Sequence, residues 1–319
     1  MVTPPDPVQP DHAWSESQSD GSPAVTPGAD DGISGELRAE ALKRLGLPDT
    51  LPLDVAGLRQ FYAAWCSAVP FDNVRKLIAL RTNTAGALPG TRAVDFFEHW
   101  VEHGTGGTCW SSSNALFTLI RSFGFDARRV AGSMRDLGVP GHGSVKVTID
   151  GSDWLVDSSM LTMHPIPLRD GVHVDRHPVF GVEVEAVDGS HLIWFDTPPY
   201  EEYFPCRLLL DRVEHVFYAE RYELSRSRGP FNHHLSMRYN RSGLRFVLQA
   251  HTRYQQSAHG VVATELSRAE LQRELCDNVG LSPAVVERFV ECGALEAAFE
   301  PPAAPPTALV GRPPSRRGG

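Results

Sequence analysis

The spacing of the apolar residues changes near residue 125, and this change restricts the possible folds more than any other feature of the sequence. Before it, apolar residues recur every three or four positions in four segments, which predicts helices at about 37–45, 58–65, 94–101 and 110–123. After it, apolar residues alternate with polar ones, which is typical of strands. Helices that precede many strands indicate an α+β protein rather than a doubly wound parallel sheet.

The chain beyond residue 125 is predicted to consist mostly of strands. Alternating residues flank the turn signal Asp150-Gly151-Ser152-Asp153, which predicts a hairpin. Ser267 and Glu270 resemble a capping box and predict that a helix begins there. The further strands are predicted at 179–187, 191–194, 207–210, 235–239 and 245–252.

The two ends of the chain differ in composition from its body. Residues 1–35 are rich in Pro, Ser, Gly and Asp, and residues 301–319 are rich in Pro and include Pro301-Pro302 and Pro305-Pro306, so both are predicted to be disordered tails. The formal charge is −9, and the first tail holds six acidic residues and no Lys or Arg. The mildly acidic body argues against binding of nucleic acid, which needs a basic face.

The sequence offers no feature that favours a membrane or an oxidising compartment. No segment approaches the roughly 18 consecutive apolar residues that a membrane helix needs. The first residues lack the basic and apolar regions of a signal peptide. Five widely spaced cysteines, an odd number, are typical of free thiols in a reducing compartment. We therefore expect a soluble cytoplasmic protein that makes no contact with membranes.

One cysteine stands in a context that favours nucleophilic chemistry. Cys109 follows Gly106-Gly107-Thr108 and directly precedes the helix predicted at 110–123. Unpaired N–H groups and the helix dipole stabilise a thiolate at such a position. The thiolate is the nucleophilic form of cysteine, so Cys109 is the candidate nucleophile.

The predicted hairpin supplies two partners for this thiol. His142 lies between two glycines just before the first strand, and Asp157 ends the second strand. A turn centred on Gly151-Ser152 or on Asp150-Gly151 fits the sequence, and both registers bring His142 and Asp157 onto adjacent strands. An imidazole that accepts the thiol proton and is oriented by a carboxylate completes a Cys–His–Asp triad, so we predict that Cys109, His142 and Asp157 are catalytic.

The remaining candidates have weaker sequence contexts. Phe71, Trp110 and Phe204 are predicted to line a substrate pocket, since aromatic side chains combine a large apolar area with defined geometry. The alternating His173, Asp175 and His177 are interpreted as a polar loop, so no metal is expected. Four cysteines are interpreted as structural because cysteine is most often buried in cores: Cys66, Cys206, Cys276 and Cys292.

At these residues the chain resembles the arylamine N-acetyltransferase family. The resemblance extends over residues 36–290, and its motifs follow the family's order. Five segments carry it: Pro70-Phe71-Asp72-Asn73; Gly106-Gly107-Thr108-Cys109-Trp110; residues 119–132; His142 with Trp154-Leu155-Val156-Asp157; and Ser227-Arg228-Gly229-Pro230-Phe231.

This resemblance implies both an architecture and an activity. It implies an N-terminal helical bundle at 36–125 that carries the nucleophile, a central β-barrel at 126–225 and a C-terminal α/β lid at 226–300, with the active site between the first two. It further implies that an acyl group passes from acetyl-CoA or another acyl thioester, through a thioester on Cys109, to an amine. A small arylamine or hydrazine is the expected acceptor, and an acyl carrier protein is a possible partner.

The chain departs from the family pattern close to these motifs. The family usually has Arg, Glu and Asn where this chain has Thr105, Ser111 and Ser113, although Asn114 follows directly. It has Val-Gly-Phe where this chain has Ser158-Ser159-Met160. The identities of the acyl donor and of the acceptor therefore stay open.

Two other functions are compatible with the same residues. Transglutaminase-like cysteine enzymes also carry a Gly-x-Cys motif, and residues 119–124 and 154–159 fit their patterns. Hydrolysis or transamidation of an amide is therefore an alternative. The second alternative is an inactive scaffold that binds an acyl carrier or another ligand.

Overall fold

The computed structural model describes residues 32–200 and 202–301. Nearly all of the two predicted tails, and with them the prediction of disorder, therefore lie outside the described residues. The boundary predicted at residue 35 falls at the first helix, because the Ser34 side chain caps that helix by accepting a hydrogen bond from the N–H of Leu37.

The four helices predicted before residue 125 are confirmed, and a short fifth one lies among them. Gly46 ends the first helix in the left-handed conformation, φ 67°, and Asp54 caps the start of the second. None of the described helices is long and apolar enough to cross a bilayer. The five helices are α1 (Gly35–Leu45), α2 (Val55–Ala68), α3 (Val74–Arg81), α4 (Ala93–His103) and α5 (Cys109–Ser122).

The apolar stripes of these helices meet in one core. Phe61, Trp65, Phe97 and Leu116 are fully buried there, and the Trp65 ring stacks on Phe96 with the centroids 6.0 Å apart. The same core includes side chains on one face of the neighbouring sheet, so α5 is held between the helices and the strands. The N-terminal end of α5, where Cys109 lies, is thereby fixed relative to both layers.

An antiparallel sheet of eight strands follows and curls into a nearly closed barrel, so the predicted α+β class is confirmed. Its spatial order is β5-β4-β3-β2-β9-β8-β7-β6. Val130, Leu155, Val184 and Ile193 belong to the apolar cluster of this sheet. The strands are β2 (Asp126–Met134), β3 (His142–Ile149), β4 (Ser152–Val156), β5 (Ile166–Leu168), β6 (Val172–Asp175), β7 (Val182–Val187), β8 (Ser190–Phe195) and β9 (Phe204–Val213).

The hairpin of β3 and β4 adopts one of its two predicted registers. Val147 pairs with Trp154, and a two-residue turn at Asp150-Gly151 joins the strands with φ angles of 48° and 73°. Two positive φ angles in succession are typical of a type I′ turn. Continuing this register would place His142 level with Ser159, so the register centred on Gly151-Ser152, which places it level with Leu161, is wrong.

A helix that the sequence analysis missed, α6 (His215–Arg228), follows the barrel and includes the domain boundary predicted at 225. A second antiparallel sheet comes next, and the two-residue strand β1 (Phe71–Asp72) joins its edge in the order β1-β10-β11-β12-β13. The last helical part is α7 (Arg268–Arg273), a π-helical turn (Glu274–Val279), α8 (Pro283–Glu291) and α9 (Ala294–Ala297). The four other strands are β10 (Ser236–Arg241), β11 (Leu244–Gln249), β12 (Thr252–Ser257) and β13 (Gly260–Glu265).

The strand predicted at 245–252 is confirmed as β11 (Leu244–Gln249), but it ends three residues earlier than predicted. Ala250 has a φ of 56°, so the chain turns there and Thr252 begins the next strand, while Ser267 forms the predicted capping box with Glu270. The domain limits at 125, 225 and 300 stay predictions.

Because β1 lies between α2 and α3 in sequence yet pairs with β10, the second sheet is attached to the helices beside the nucleophile.

Candidate active site

Cys109 is the first residue of α5, and two glycines position it. The backbone at Gly106 approaches the next strand so closely that a Cβ there would lie 1.7 Å from the carbonyl oxygen of Pro70. Gly107 accepts a hydrogen bond from the N–H of Asp72 at 3.2 Å. Because only glycine permits this approach, the turn packs closely against the segment at Pro70, and Cys109 lies at the end of the turn with 6% of its surface exposed.

The structure brings His142 and Asp157 together opposite this helix end. His142 Nε2 donates to Oδ2 of Asp157 at 2.6 Å, and both side chains are buried. The Cys109 side chain lies beside the same imidazole and interacts with it. Since Nε2 is occupied by the carboxylate, Nδ1 is the ring nitrogen left to exchange a proton with the thiol.

Asp157 is held by four donors in all. Ser144 Oγ donates to Oδ2 at 2.5 Å, and the N–H groups of Ser159 and Met160 each donate to Oδ1 at 2.8 Å. A buried carboxylate that accepts several hydrogen bonds remains ionised and keeps a fixed orientation. The imidazole that it orients is thereby fixed as well.

The electrostatics of the pair follow from its burial and its mutual contact. Burial alone would lower the pKa of His142, but the charge of Asp157 outweighs it and raises that pKa to about 10. Burial alone would raise the pKa of Asp157, but His142 and the hydrogen bonds from Ser144 and Met160 lower it to about 2. At neutral pH the pair therefore consists of an imidazolium and a carboxylate, which places a positively charged ring beside the Cys109 thiol.

The segment Pro70-Phe71-Asp72-Asn73 braces the turn that carries the nucleophile. Oδ2 of Asp72 accepts from the N–H of Gly106 at 2.6 Å. The side-chain amide of Asn73 donates to the carbonyls of Phe231 and His234, at 3.0 and 2.8 Å. The sequence analysis gave no role to Asp72 or Asn73, although both lie in a motif that it quoted.

Two of the residues that depart from the family pattern, Ser113 and Ser158, form a buried cluster with Ser112. Ser158 Oγ lies 2.7 Å from Ser112 Oγ and 2.8 Å from Ser113 Oγ. Ser113 Oγ also donates to the carbonyl of Gly143 at 2.7 Å, which ties α5 to the strand that carries His142. The Thr105 hydroxyl is buried with no hydrogen-bond partner among the described residues.

A cavity of about 390 Å³ opens onto the thiol and the imidazole. Phe71 and Phe204, two of the three residues predicted to line a substrate pocket, lie in its wall. Met160, Tyr200 and Phe231 add apolar surface, and the Tyr200 ring stacks on Phe204 with the centroids 4.5 Å apart. A mostly apolar cavity beside a nucleophile suits a small organic substrate.

Trp110, the third predicted substrate contact, does not line this cavity. Its indole packs edge-on against Tyr218, with the centroids 4.9 Å apart, and against Phe217 at 6.2 Å. The Tyr218 hydroxyl in turn bonds to the carbonyls of Val130 and Ser144. Trp110 therefore packs the nucleophile helix against α6, and its position was mispredicted because α6 itself was missed.

Four further cavity residues carry polar groups that the sequence analysis did not single out. Arg135 follows β2, whereas Ser236, Arg238 and Gln249 belong to the second sheet. No spacing or motif in the sequence connects them to Cys109, because strand pairing alone brings them there. Among the described residues no group of three or more His, Cys, Asp or Glu is arranged to hold a metal ion.

A protein-family model matches most of the described chain. The model, described as N-acetyltransferase, matches residues 54–282, which include the nucleophile turn, the hairpin and the strand that carries Arg238. A comparison with curated proteins found no match.

Solved structures share the fold at low sequence identity. An N-arylamine acetyltransferase variant from Mycobacterium smegmatis is 17% identical, with a TM-score of 0.69, and the match covers 81% of this chain and 96% of that one. The enzyme from Salmonella typhimurium is 16% identical with a TM-score of 0.68, covering 82% and 98%. The enzyme from Mycobacterium marinum in complex with CoA is 18% identical with a TM-score of 0.69, covering 82% and 97%.

Proposed function

This chain belongs to the arylamine N-acetyltransferase family, and we propose that it transfers an acyl group from a thioester donor through Cys109 to an amine. The observation that carries the proposal is the contact of Cys109 with His142, which is itself bonded to Asp157, at the wall of an apolar cavity. The M. marinum relative was solved with CoA, which supports acetyl-CoA as the donor.

The first half of the reaction forms an acyl-enzyme. The Cys109 thiolate attacks the carbonyl carbon of the donor thioester, and the carbonyl oxygen becomes an oxyanion. N–H groups in the first turn of α5, which have no partner within the helix, are placed to stabilise that oxyanion. The bond to the donor sulfur then breaks, and the departing thiolate takes the proton of His142 as the free thiol.

The second half returns the enzyme to its starting state. The amine nitrogen attacks the thioester carbonyl on Cys109, and neutral His142 removes the proton that the nitrogen loses. The bond to sulfur breaks, which releases the amide and restores the thiolate and the imidazolium. Asp157 stabilises the imidazolium and holds the ring with Nε2 turned away from the substrate.

The experiment that tests this function measures the intact mass of the protein after mixing with acyl thioesters. We expect acetyl-CoA to add one acetyl group to the parent protein and to a Cys276→Ala variant, and none to Cys109→Ala. Addition of aniline or a hydrazine should then remove the group and yield the amide. A panel that includes an acylated carrier protein identifies the donor.

The transglutaminase-like alternative predicts the opposite preference. An enzyme of that type would be acylated by a glutamine-containing peptide and would release ammonia. Acylation of Cys109 by the peptide and not by any thioester would contradict the proposal. A thiol that accepts no acyl group from either source would favour the inactive scaffold.

A further inference from the structure

The cavity wall opposite the nucleophile is formed by one face of the second sheet. Side chains two residues apart on a strand share a face, so Ser236, Arg238 and Asn240 of β10 lie on the same side. Their partners across the pair, Gln249 opposite Ser236 and Arg245 opposite Asn240, share that face. The opposite face of this sheet packs into the apolar core that the sheet shares with the helices beside it. A row of polar side chains thus faces the body of the protein.

At one end of this row the polar groups are bonded to the protein. Asn240 donates to the carbonyls of Cys66 and Leu161, at 3.2 and 2.9 Å. Arg245 is 1% exposed and donates to the carbonyl of Asp196 and to Gln256 Oε1. These bonds tie the sheet to the helices and to the barrel, which is a structural role.

Arg238 lies next in the row and makes no such bonds to the described residues. It lines the cavity with Cys109, and its Nε is buried without a hydrogen-bond partner among the described residues. Its guanidinium lies 5.4 Å from the ring centroid of Phe71, and burial lowers its pKa while Tyr200 and Asp157 act to raise it. The oxygens of Asp157 are already bonded to His142, Ser144 and two backbone N–H groups.

The charge of the cavity lining is one-sided. Arg135 and Arg238 line the cavity, and no described Asp or Glu does. The chain as a whole carries a charge of −9, so the overall field does not attract anions, and this lining is a local exception. The Arg238 guanidinium is partly removed from water and has no anion bonded to it among the described residues, so it has lost part of its hydration. A carboxylate that enters the cavity would replace this hydration by two parallel hydrogen bonds.

We propose that Arg238 is the anion-binding group of the substrate cavity, and that the enzyme acts on a substrate that bears a carboxylate close to its reacting atom. The proposal rests on the proposed function, because it takes the cavity at Cys109 as the substrate site. The phosphates of coenzyme A do not fit this role, since the pantetheine arm separates them from the thioester.

Two sources can supply such a carboxylate. It can belong to the acyl group, as in a dicarboxylic acyl thioester such as succinyl-CoA. It can instead belong to the acceptor, as in an aromatic amine of the aminobenzoate type, whose ring would contact Phe71 and Phe204. The chemistry at Arg238 is the same in both cases, namely a bidentate carboxylate–guanidinium pair.

The first experiment measures binding without turnover. Benzoate and its neutral analogue benzamide are titrated as protectants of Cys109 against iodoacetamide, and peptide mapping reports the alkylation rate. We expect benzoate to protect at a concentration about tenfold lower than benzamide, because a charge-assisted pair with a guanidinium is stronger than hydrogen bonds to a neutral amide. In Arg238→Gln the two compounds should protect alike. Equal protection by the two compounds in the parent protein would overturn the proposal.

The controls separate Arg238 from general effects of charge. Arg241→Gln removes a positive charge three residues along the same strand, from an exposed side chain that bonds to Asp277 and Asn278, and should leave the preference for benzoate intact. The assignment of the anion site to Arg238 would be overturned if Arg135→Gln lost the preference for benzoate while Arg238→Gln kept it. If Arg238→Gln does not fold, Arg238→Lys replaces it and should weaken the preference, because an ammonium lacks the planar fork.

The second experiment identifies the source of the carboxylate. Acylation of Cys109 is compared for acetyl-CoA and succinyl-CoA, and deacylation for 4-aminobenzoate and 4-aminobenzamide. If Arg238→Gln lowers the acylation rate about tenfold for succinyl-CoA alone, the carboxylate belongs to the donor. If it lowers the deacylation rate about tenfold for 4-aminobenzoate alone, the carboxylate belongs to the acceptor. No change in either pair overturns the proposal. Should no thioester acylate Cys109 while benzoate still protects it through Arg238, the anion site stands and the proposed function fails.

Discussion

Oδ2 of Asp72 accepts a hydrogen bond from the backbone N–H of Gly106 at 2.6 Å. The same carboxylate accepts from the N–H of Val74, the first residue of α3, at 2.9 Å through Oδ1. One buried side chain therefore connects the edge of the second sheet, a helix start and the turn before Cys109. The position of the nucleophile depends on this connection as much as on its own helix.

Asp72→Asn should disturb this turn more than it disturbs the fold. An amide accepts through one oxygen only, so either the Gly106 or the Val74 bond is lost and an NH₂ group faces a backbone N–H. We expect a loss of about 1–3 kcal/mol in the free energy of unfolding and slower acylation of Cys109. Urea denaturation and acylation rates measure both, with the exposed Asp126→Asn as a control. Unchanged acylation would show that the bond does not position the thiol.

Substitutions at the two glycines should differ in severity. A Cβ at Gly106 meets the backbone oxygen of Pro70 at 1.7 Å, whereas one at Gly107 meets the side-chain oxygen of Ser111 at 2.3 Å. A side chain can rotate away but backbone cannot without moving the turn. Gly106→Ala should therefore abolish acyl transfer, and Gly107→Ala should lower it less. Adding Ser111→Ala to Gly107→Ala should restore part of the rate, and a greater loss at Gly107 than at Gly106 would contradict this account.

Selective alkylation tests the environment of the nucleophile. At pH 6 His142 is protonated, since its pKa is raised to about 10, and its charge stabilises the Cys109 thiolate. Burial raises the pKa of Cys66 to about 12 and raises that of Cys206 well above its ordinary value. Iodoacetamide at pH 6 should therefore modify Cys109 first, as read by peptide mapping. His142→Gln should slow this labelling, and prior labelling of Cys66 would contradict the assignment.

Asp157→Asn tests the orienting role of the carboxylate. The amide keeps the size but not the charge, so it stabilises the imidazolium less and can accept or donate at Nε2. In a related triad the same change lowers turnover by about 10⁴ while the geometry survives. We expect a loss of about 10³–10⁴ in acyl transfer together with slower alkylation of Cys109 at pH 6. If the variant folds and turns over substrate at the parent rate, catalysis requires only Cys109 and His142.

The His142–Asp157 pair should also make stability depend on pH. The folded pKa of His142, about 10, lies above its ordinary 6.5, so its contribution is complete below pH 6.5 and is lost as the pH rises towards 10. The folded pKa of Asp157, about 2, lies below its ordinary 3.8, so its contribution is complete above pH 3.8 and is lost as the pH falls towards 2. The pair therefore stabilises the fold most between these two ordinary values.

Urea denaturation at pH 5, 7 and 9 measures this dependence. The difference in unfolding free energy between the parent and Asp157→Asn should be about 3 kcal/mol at pH 5 and should shrink steadily at pH 7 and 9. Taking the difference cancels groups that titrate alike in both proteins. A difference that grows with pH would show that His142 is neutral in the folded parent.

Much of the fold was predictable because its signals are local. The period of α1 and its stop at Gly46, the start of α5 at Cys109 and the type I′ turn of the hairpin depend on residues that are neighbours in sequence. α6 was missed because polar residues interrupt its apolar positions, and burial of Tyr218 and Tyr222 against other elements holds it in place. A search for periodic apolar residues detects a helix with a continuous apolar face, but it does not detect a helix that is held in place by two buried aromatic rings.

Glycine turns, helix caps and alternation act over a few residues, so the sequence alone was enough to locate the helix start at Cys109 and the hairpin that carries His142 and Asp157. The surroundings of these residues depend instead on contacts between distant segments. Packing of the layers places Trp110 against α6 instead of in the cavity, and the pairing of β1 with β10 brings Arg238 to the cavity of Cys109. Such long-range pairing is selected by the packing of whole layers, which no local pattern in the chain encodes.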